Sequence, residues 1–540
     1  MKFLLGRIEK RLIQLYLNTD MVFLLFLLLF LNIKLPIKMA ALVFIYLARF
    51  NFKFRLHFKS ESRLPLFYLL MVVWCCIEFF INGNFASNYI LVFCSCASVW
   101  AICLLAMHQV KLAIEKNGVE KVERSLRIFF VANALASVLN VLMICFETNN
   151  INPYTYEDLS YKYFTSTGDY VRGITFDVCT TNMIINAMGI FYFLQQKRNI
   201  FSVMCLCVAL LTTSNLGNLI LIALITFAFF THKNKVYKSM LLCCISILVL
   251  FMVKISPANL EYFIGSFKKI NKHQETTAGI VSIKPKDLNA DSLIRIYVAL
   301  KNFRQNPPDT LTKKISEEIS SINEIRRKIR SKKEVLKPDI DFDNYTKNMH
   351  GMMIGYSRTV YGDSVIASVV PFMNSPKSLG KLVSMFQTGA FLKQDVKHFL
   401  LGAGPGNFSS KFTFRALGLN TDGQWPQKYT YMSEDFKNNH LKLWLYYQLQ
   451  PPATHSTLNS PNSVANQLTG EYGLIGLLLF LIFYVWYFFK QYKFLSYGRI
   501  IFPLMMAFLF TDYWFENLSV MIIFETLILL DLHKKEAKTA

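Results

Sequence analysis

The chain alternates long apolar runs with short polar punctuation. A helix rises 1.5 Å per residue, so runs of roughly 17–25 apolar residues match a hydrocarbon layer about 30 Å thick. About twelve runs stand out, some of them short, near 20–33, 36–50, 65–82, 88–107, 126–146, 177–195, 200–214, 216–231, 238–255, 468–489, 498–512 and 517–532. Each is predicted to be a helix and a membrane span. The stretch 200–231 is nearly continuous, divided by the polar turn Thr212-Thr213-Ser214-Asn215 and by Gly217. A single re-entrant element there would lower the count. The basic start Lys2, Arg7, Lys10 and Arg11 runs into Met21–Ile33 with no small-residue cleavage site, so the first span is expected to be retained.

The pattern changes once, in the long hydrophilic stretch after Ile255. Three units follow: a membrane bundle of about nine spans over 1–255, a loop domain over 256–467, and a membrane bundle of about three spans over 468–540. Loops of that length without a span are uncommon and usually functional. Within it, Ile315, Ile319, Ile322, Ile325 and Ile329 recur at three- and four-residue steps. That spacing predicts an amphipathic helix over Lys313–Lys337, ended by Pro338. The loop domain is therefore expected to be mostly helical.

Charge then orients the spans. Basic residues crowd alternate short connections: Arg49–Arg63, Lys111–Arg127, Lys197–Arg198, Lys233–Lys238, Lys490–Arg499 and Lys534–Lys538. The opposite set is poor in them: Asn82–Ser87 and Thr212–Asn215 have none, and Asp512–Glu516 is acidic. The alternation fails only at the tight Lys34–Lys38 hairpin. Basic short loops stay cytoplasmic, which places both termini inside and the segments 147–176 and 256–467 outside.

Composition agrees with a membrane protein and narrows its chemistry. The chain is 53% hydrophobic and only 17% charged, too apolar for a soluble domain of 540 residues. Its formal net charge of +23 suggests nucleic acid only until its distribution is seen, because much of the excess lies in the short orienting loops. From 256 to 463 there are 28 Lys+Arg against 17 Asp+Glu, so the outward domain is basic too. All 11 cysteines lie in or beside apolar stretches of the first half, and Cys94/Cys96 and Cys205/Cys207 lack metal-ligand spacing. Free thiols packed in helices are expected, without disulfides or zinc.

No nucleotide-driven machinery is evident. Gly402-Ala403-Gly404-Pro405-Gly406-Asn407 has the glycines of a phosphate cradle but lacks the Gly-Lys-Ser/Thr ending, and reads as a tight turn. Asp339-Ile340-Asp341-Phe342-Asp343 has the form of a metal-nucleotide motif but lies outside, away from nucleotide sugars, so no metal or cofactor is expected. An outward enzyme without ATP needs a donor activated on the membrane, and a lipid-linked diphosphate is the obvious one. Arg offers a permanently charged fork of donors to phosphate oxygens. Arg172, Arg295, Arg304, Arg358 and Arg415 are the candidates.

Several of these islands together resemble the O-antigen polymerase and O-antigen ligase family. Arg172-Gly173-Ile174-Thr175-Phe176-Asp177, leading to Asn182, resembles that family's Arg-x-x-Gly…Asn segment. Asp291–Pro307 resembles its Arg-bearing helix, and Phe399–Phe408 resembles its glycine turn. Ser460–Gly476 resembles its His-Asn…Glu-x-Gly-x-x-Gly entry into a late span, with Asn462, Glu471, Gly473 and Gly476 in register. The likeness covers islands between about 170 and 485. Three departures stand out: Pro461 where the family has His, Asn215 where it often has Arg, and a long insertion between Arg295 and the glycine turn.

The resemblance implies a GT-C-like polytopic glycosyltransferase of a bacterial inner membrane. It implies an undecaprenyl-diphosphate-linked glycan as donor and acceptor, membrane lipid and a chain-length regulator protein as partners, no cofactor, and no nucleic acid. Arg172 with Arg295 or Arg358 would hold the diphosphate. His455 would be the base, with Asn462 and Glu471 ordering the site and Glu471 counted with His455 as catalytic. Polymerisation of repeat units for O-antigen or capsular polysaccharide is the leading expectation, favoured by the displaced His and the long insertion, with ligation of polymer to lipid A core and transport by a flippase of the same pathway as the alternatives. The unequal halves and the long loop count against the transporter, since transporters usually carry two similar halves.

Overall fold

The computed structural model describes residues 18–29, 31, 35–48, 64–155, 167–256, 380–419, 423–449 and 460–539. The amphipathic stretch Lys313–Lys337, the Asp339–Asp343 motif, Arg295, Arg304, Arg358 and His455 lie outside them.

Each of the twelve apolar runs contains a helix among its described residues. In chain order these are α1 (Met21–Leu29), α2 (Leu35–Ala48), α3 (Phe67–Asn82), α4 (Ser87–Asn117), α5 (Val119–Thr148), α6 (Cys179–Gln195), α7 (Asn199–Leu211), α8 (Asn215–Thr231) and α9 (Lys235–Leu250). The segment between 256 and 467 contributes α10 (Gly380–Leu392), α11 (Val396–Leu401), α12 (Lys411–Ala416), α13 (Glu434–Asn439) and α14 (Leu441–Leu449). Then come α15 (Val464–Phe480), α16 (Gly498–Leu509) and α17 (Leu518–Thr539). No strand occurs among the described residues. Both α9 and α15 lengthen through a π-helical turn, at Phe251–Ile255 and Leu481–Val485.

Among the described residues four helices are long and apolar enough to cross a membrane: Ser87–Asn117, Val119–Thr148, Lys235–Ile255 and Val464–Phe494. Shorter apolar helices surround them, and the outer faces carry exposed Phe44, Phe80, Leu135, Phe230 and Ile482. Such faces suit a lipid-embedded bundle. The run 200–231 is two helices, turned by Thr213 at φ 46° and started by Ser214, whose hydroxyl accepts from the Gly217 N–H. The eleven cysteines are free.

An aromatic knot joins the two sequence-distant halves. The ring of Phe67 on α3 lies 5.6 Å from Trp100, 5.6 Å from Phe480, 5.4 Å from Tyr484 and 5.4 Å from Phe515. Such edge and tilted ring pairs add to the burial they share. Beside it the buried Glu525 on α17 accepts hydrogen bonds from the hydroxyls of Tyr68 and Tyr484, which satisfy a polar group in an apolar core.

The connections sort to opposite ends of the bundle. At one end Glu123 pairs with Lys534 and accepts from Gln196 Nε2 at 2.9 Å, while Asp531 accepts from the backbone N–H groups of Ser496 and Gly498. At the other end Asn84 donates to Tyr431, Asn88 to the Thr430 carbonyl, Tyr154 to the Leu211 carbonyl, and Asn517 to Asp177. The first set belongs to the basic loops of the sequence and the second to the loops poor in Lys and Arg.

Candidate functional site

Three short pieces of chain build the acidic and basic chemistry at the second end. The first is the turn carrying Arg172. Gly173, at φ 59°, sits where a Cβ would lie 2.2 Å from Asn133 Oδ1. Asn140 Oδ1 accepts from the backbone N–H groups of Arg172 and Gly173, and Asn133 Oδ1 accepts from that of Ile174. Asn182 in turn donates to the Val171 carbonyl at 3.0 Å and accepts from Asn133. Asn182 thus braces the turn from inside α6. Arg172 is left exposed, its guanidinium over the Tyr170 ring.

The glycine turn is the second piece. Gly402, Gly404 and Gly406 take φ values of 73°, 90° and 70°, a region closed to most side chains. The backbone amides of such a turn form a nest for an anion, and the anion here is internal. Glu471 Oε2 accepts from the Gly406 N–H at 2.9 Å, and Oε1 accepts from the Ser409 N–H at 3.1 Å and the Thr413 hydroxyl at 2.9 Å. The Glu471 side chain is fully buried. In the structure its carboxyl folds the turn. The N–H groups that could have cradled a phosphate are spent on Glu471. Nor is Glu471 at a helix start, since α15 begins at Val464 behind its cap Ser463.

The third piece is α12 with the loop between α16 and α17. Ser410 caps α12, accepting from the Thr413 N–H, and the Lys411 N–H donates to Glu516 Oε2 at 3.0 Å. Gln467 Nε2 donates to Glu516 Oε1. Lys411 Nζ lies 4.0 Å from Asp512, and Asp177 accepts from both Asn517 and Thr181. Lys38, buried at the start of α2, lies within electrostatic reach of Asp177, Lys411 and Arg415. Three cations from two distant parts of the chain thus face Asp177, Asp512 and Glu516.

Burial, with repulsion from Glu471, pushes the Glu516 carboxyl up to about 8, against the pull of Arg415 and Lys411. Two further buried groups act as structural braces. His440 is held to about 3 by burial, its Nε2 3.2 Å from Ser409 Oγ. Lys381, pulled down to about 7 by burial, donates to the carbonyls of Asn462 and Thr511, tying α10 to the ends of two membrane helices.

Of the residues expected from sequence, the structure joins Glu471 to the glycine turn and seats Asn462 on Lys381. It places Arg172 on a separate turn, linked to the acidic loop through Asp177 five residues on. Sequence reading passed over Lys38, Lys411 and Glu516 as site residues. Lys38 had a visible signal, because it belongs to the one hairpin that breaks the charge alternation. Comparison with protein-family models, with curated proteins and with solved structures finds no match.

Proposed function

We propose that the chain polymerises undecaprenyl-diphosphate-linked oligosaccharide repeat units at the outer face of a bacterial inner membrane, for O-antigen or capsular polysaccharide. Both termini would lie in the cytoplasm and the 256–467 loop in the periplasm, with the twelve helices as spans of a GT-C-like fold. The observation that carries this reading is the grouping of Lys38, Lys411 and Arg415 at the bundle end that also holds Arg172 and the acidic loop. A leaving diphosphate gathers negative charge as its bond to sugar breaks. Fixed cations in a partly dehydrated site stabilise that charge more than the ground state.

In the reaction an acceptor sugar hydroxyl attacks C1 of the donor glycan. The new C1–O bond forms as the C1–O bond to phosphate breaks, and the diphosphate departs with the electron pair. From the loop domain, Arg295 and Arg358 stay candidates for holding the diphosphate, and His455 for the base that takes the acceptor's proton.

The test is complementation of a polymerase-null strain, read by glycan electrophoresis. Restored ladders, lost in a Lys411→Ala/Arg415→Ala double variant present at normal membrane levels, support the reading. Unchanged polymer length with loss of attachment to lipid A core makes the chain a ligase. Lipid-linked substrate moved across vesicles by purified protein, with no bond formed, makes it a transporter.

A further inference from the structure

The hairpin of α10 and α11 is built inside out. Lys381, Ser384 and Thr388 recur at three- and four-residue steps on α10, so they share one face, and all three are buried. Lys381 donates to the carbonyls of Asn462 and Thr511. Ser384 Oγ accepts from Asn466 Nδ2 at 2.5 Å, and Thr388 Oγ1 lies 3.4 Å from Asn466 Oδ1. The polar face of α10 is thus the one turned inward, onto the start of α15.

What α10 turns outward is apolar: Phe386 is 64% exposed, with Met385 and Ala390 exposed beside it. On α11 the outward residues are Val396, Phe399 and Leu400, one stripe at three- and four-residue steps, with Val396 73% and Phe399 45% exposed. An amphipathic helix in water buries its apolar face and shows the polar one. Here the sides are exchanged, which is the arrangement for an apolar surrounding. We infer that α10 and α11 lie in the lipid leaflet at this end of the bundle, with Phe386, Val396, Phe399 and Leu400 among the acyl chains.

Two observations name lipid as the occupant. The first is continuity. α11 meets α15 backbone to backbone, where a Cβ on Gly473 would lie 2.4 Å from the Leu400 carbonyl oxygen. Within the next turns α15 exposes Leu478, Leu481 and Ile482, so apolar surface runs on from the hairpin to the bundle. The second is charge. Lys393 and Lys397 are exposed beside the hairpin's turn, and their long stems let the ammonium groups reach lipid phosphates. Asp395 between them is committed to the protein, accepting from the His398 N–H at 2.7 Å. Because α11 runs straight into Gly402, its seat in lipid sets the depth of the glycine turn below the surface. The inference rests on the membrane embedding of the bundle and not on the glycan-transfer reading.

Full-length protein is reconstituted in vesicles of phosphatidylethanolamine and phosphatidylglycerol. The photoreactive analogue benzoylphenylalanine replaces Phe386, Phe399, Phe230 or Glu434 in turn, and lipid adducts are read by mass spectrometry after irradiation. Phe230 on α8 is 76% exposed and the Glu434 side chain on α13 is 74% exposed, so the two controls differ in surroundings and not in access. Adducts at Phe386 and Phe399 are expected within about twofold of Phe230 and at least about tenfold above Glu434. Yields at the Glu434 level, or crosslinks to a second copy of the chain in their place, overturn the inference. A second measurement turns on sign. In water, Phe399→Asp leaves the melting temperature unchanged or raises it, whereas in lipid the added charge lowers it. A fall in those vesicles is expected for Phe399→Asp and not for Phe399→Leu. A Phe399→Asp protein that melts with wild type places the face in water.

Discussion

Gly402 and Gly473 pack backbone against backbone, although 71 positions separate them. A Cβ on Gly473 would lie 2.4 Å from the Leu400 carbonyl oxygen and 2.6 Å from the Gly402 nitrogen; one on Gly402 would lie 2.7 Å from the Gly473 nitrogen. Gly473 also takes φ 60° and ψ −160° inside α15, which kinks that helix around the turn. Gly473→Ala or Gly402→Ala is therefore expected to destabilise the protein, by roughly 1–3 kcal/mol for the forced backbone and a similar amount for overpacking. Thermal unfolding in detergent checks this. A melting temperature within a degree of wild type for both variants contradicts the packing.

Glu471 should behave as the anchor of that turn. Glu471→Ala removes three charge-assisted hydrogen bonds, each worth roughly 1.5–3 kcal/mol, and leaves the buried N–H groups of Gly406 and Ser409 unpaired. Limited proteolysis between Leu400 and Lys411 should speed up at least tenfold, and activity should fall with it. Glu471→Gln is expected to fall between wild type and Glu471→Ala in both readouts. Activity lost with an unchanged proteolysis rate would instead mark a chemical role.

These two contacts show what sequence could and could not disclose. The twelve helices were legible because each buries or exposes an apolar run whose length alone sets its structure. Glu471, Gly473 and the glycine turn were legible as separate islands. Nothing in linear order indicated that the carboxyl of one island fills the amide nest of the other, since that depends on how α15 and α11 approach. Lys411 and Glu516 looked like loop charges for the same reason: their meaning comes from α12 lying against the α16–α17 loop. Asn133, Asn140 and Asn182 likewise acquire a purpose only when α5 and α6 pair around the Arg172 turn.

The cations should separate by geometry as well as charge. Arg415 lies over the Phe412 ring, 5.3 Å from its centroid, and shares a helix face with Lys411 four residues before it. Arg415→Lys keeps the charge but loses the planar fork that meets two phosphate oxygens at once. Donor affinity, measured with the lipid-linked diphosphate, should fall about tenfold in Arg415→Lys and further in Arg415→Ala. Equal affinity in all three would show that Arg415 has no contact with the donor.

Proton linkage gives the last prediction. Glu516 has a folded value near 8 against an ordinary 4.5, so folding favours its neutral form. The stability this contributes is full below about pH 4.5 and is lost as pH rises through about 8. His440 has the opposite sign: a folded value near 3 against 6.5 means its contribution is present above 6.5 and is lost as pH falls through 3. Melting temperature should therefore decline on both sides. The alkaline decline should be shallower in Glu516→Gln, which cannot ionise at that position, so that above pH 8 this variant melts higher than wild type. A Glu516→Gln protein that loses stability with rising pH as steeply as wild type would show that the alkaline limb belongs to another group.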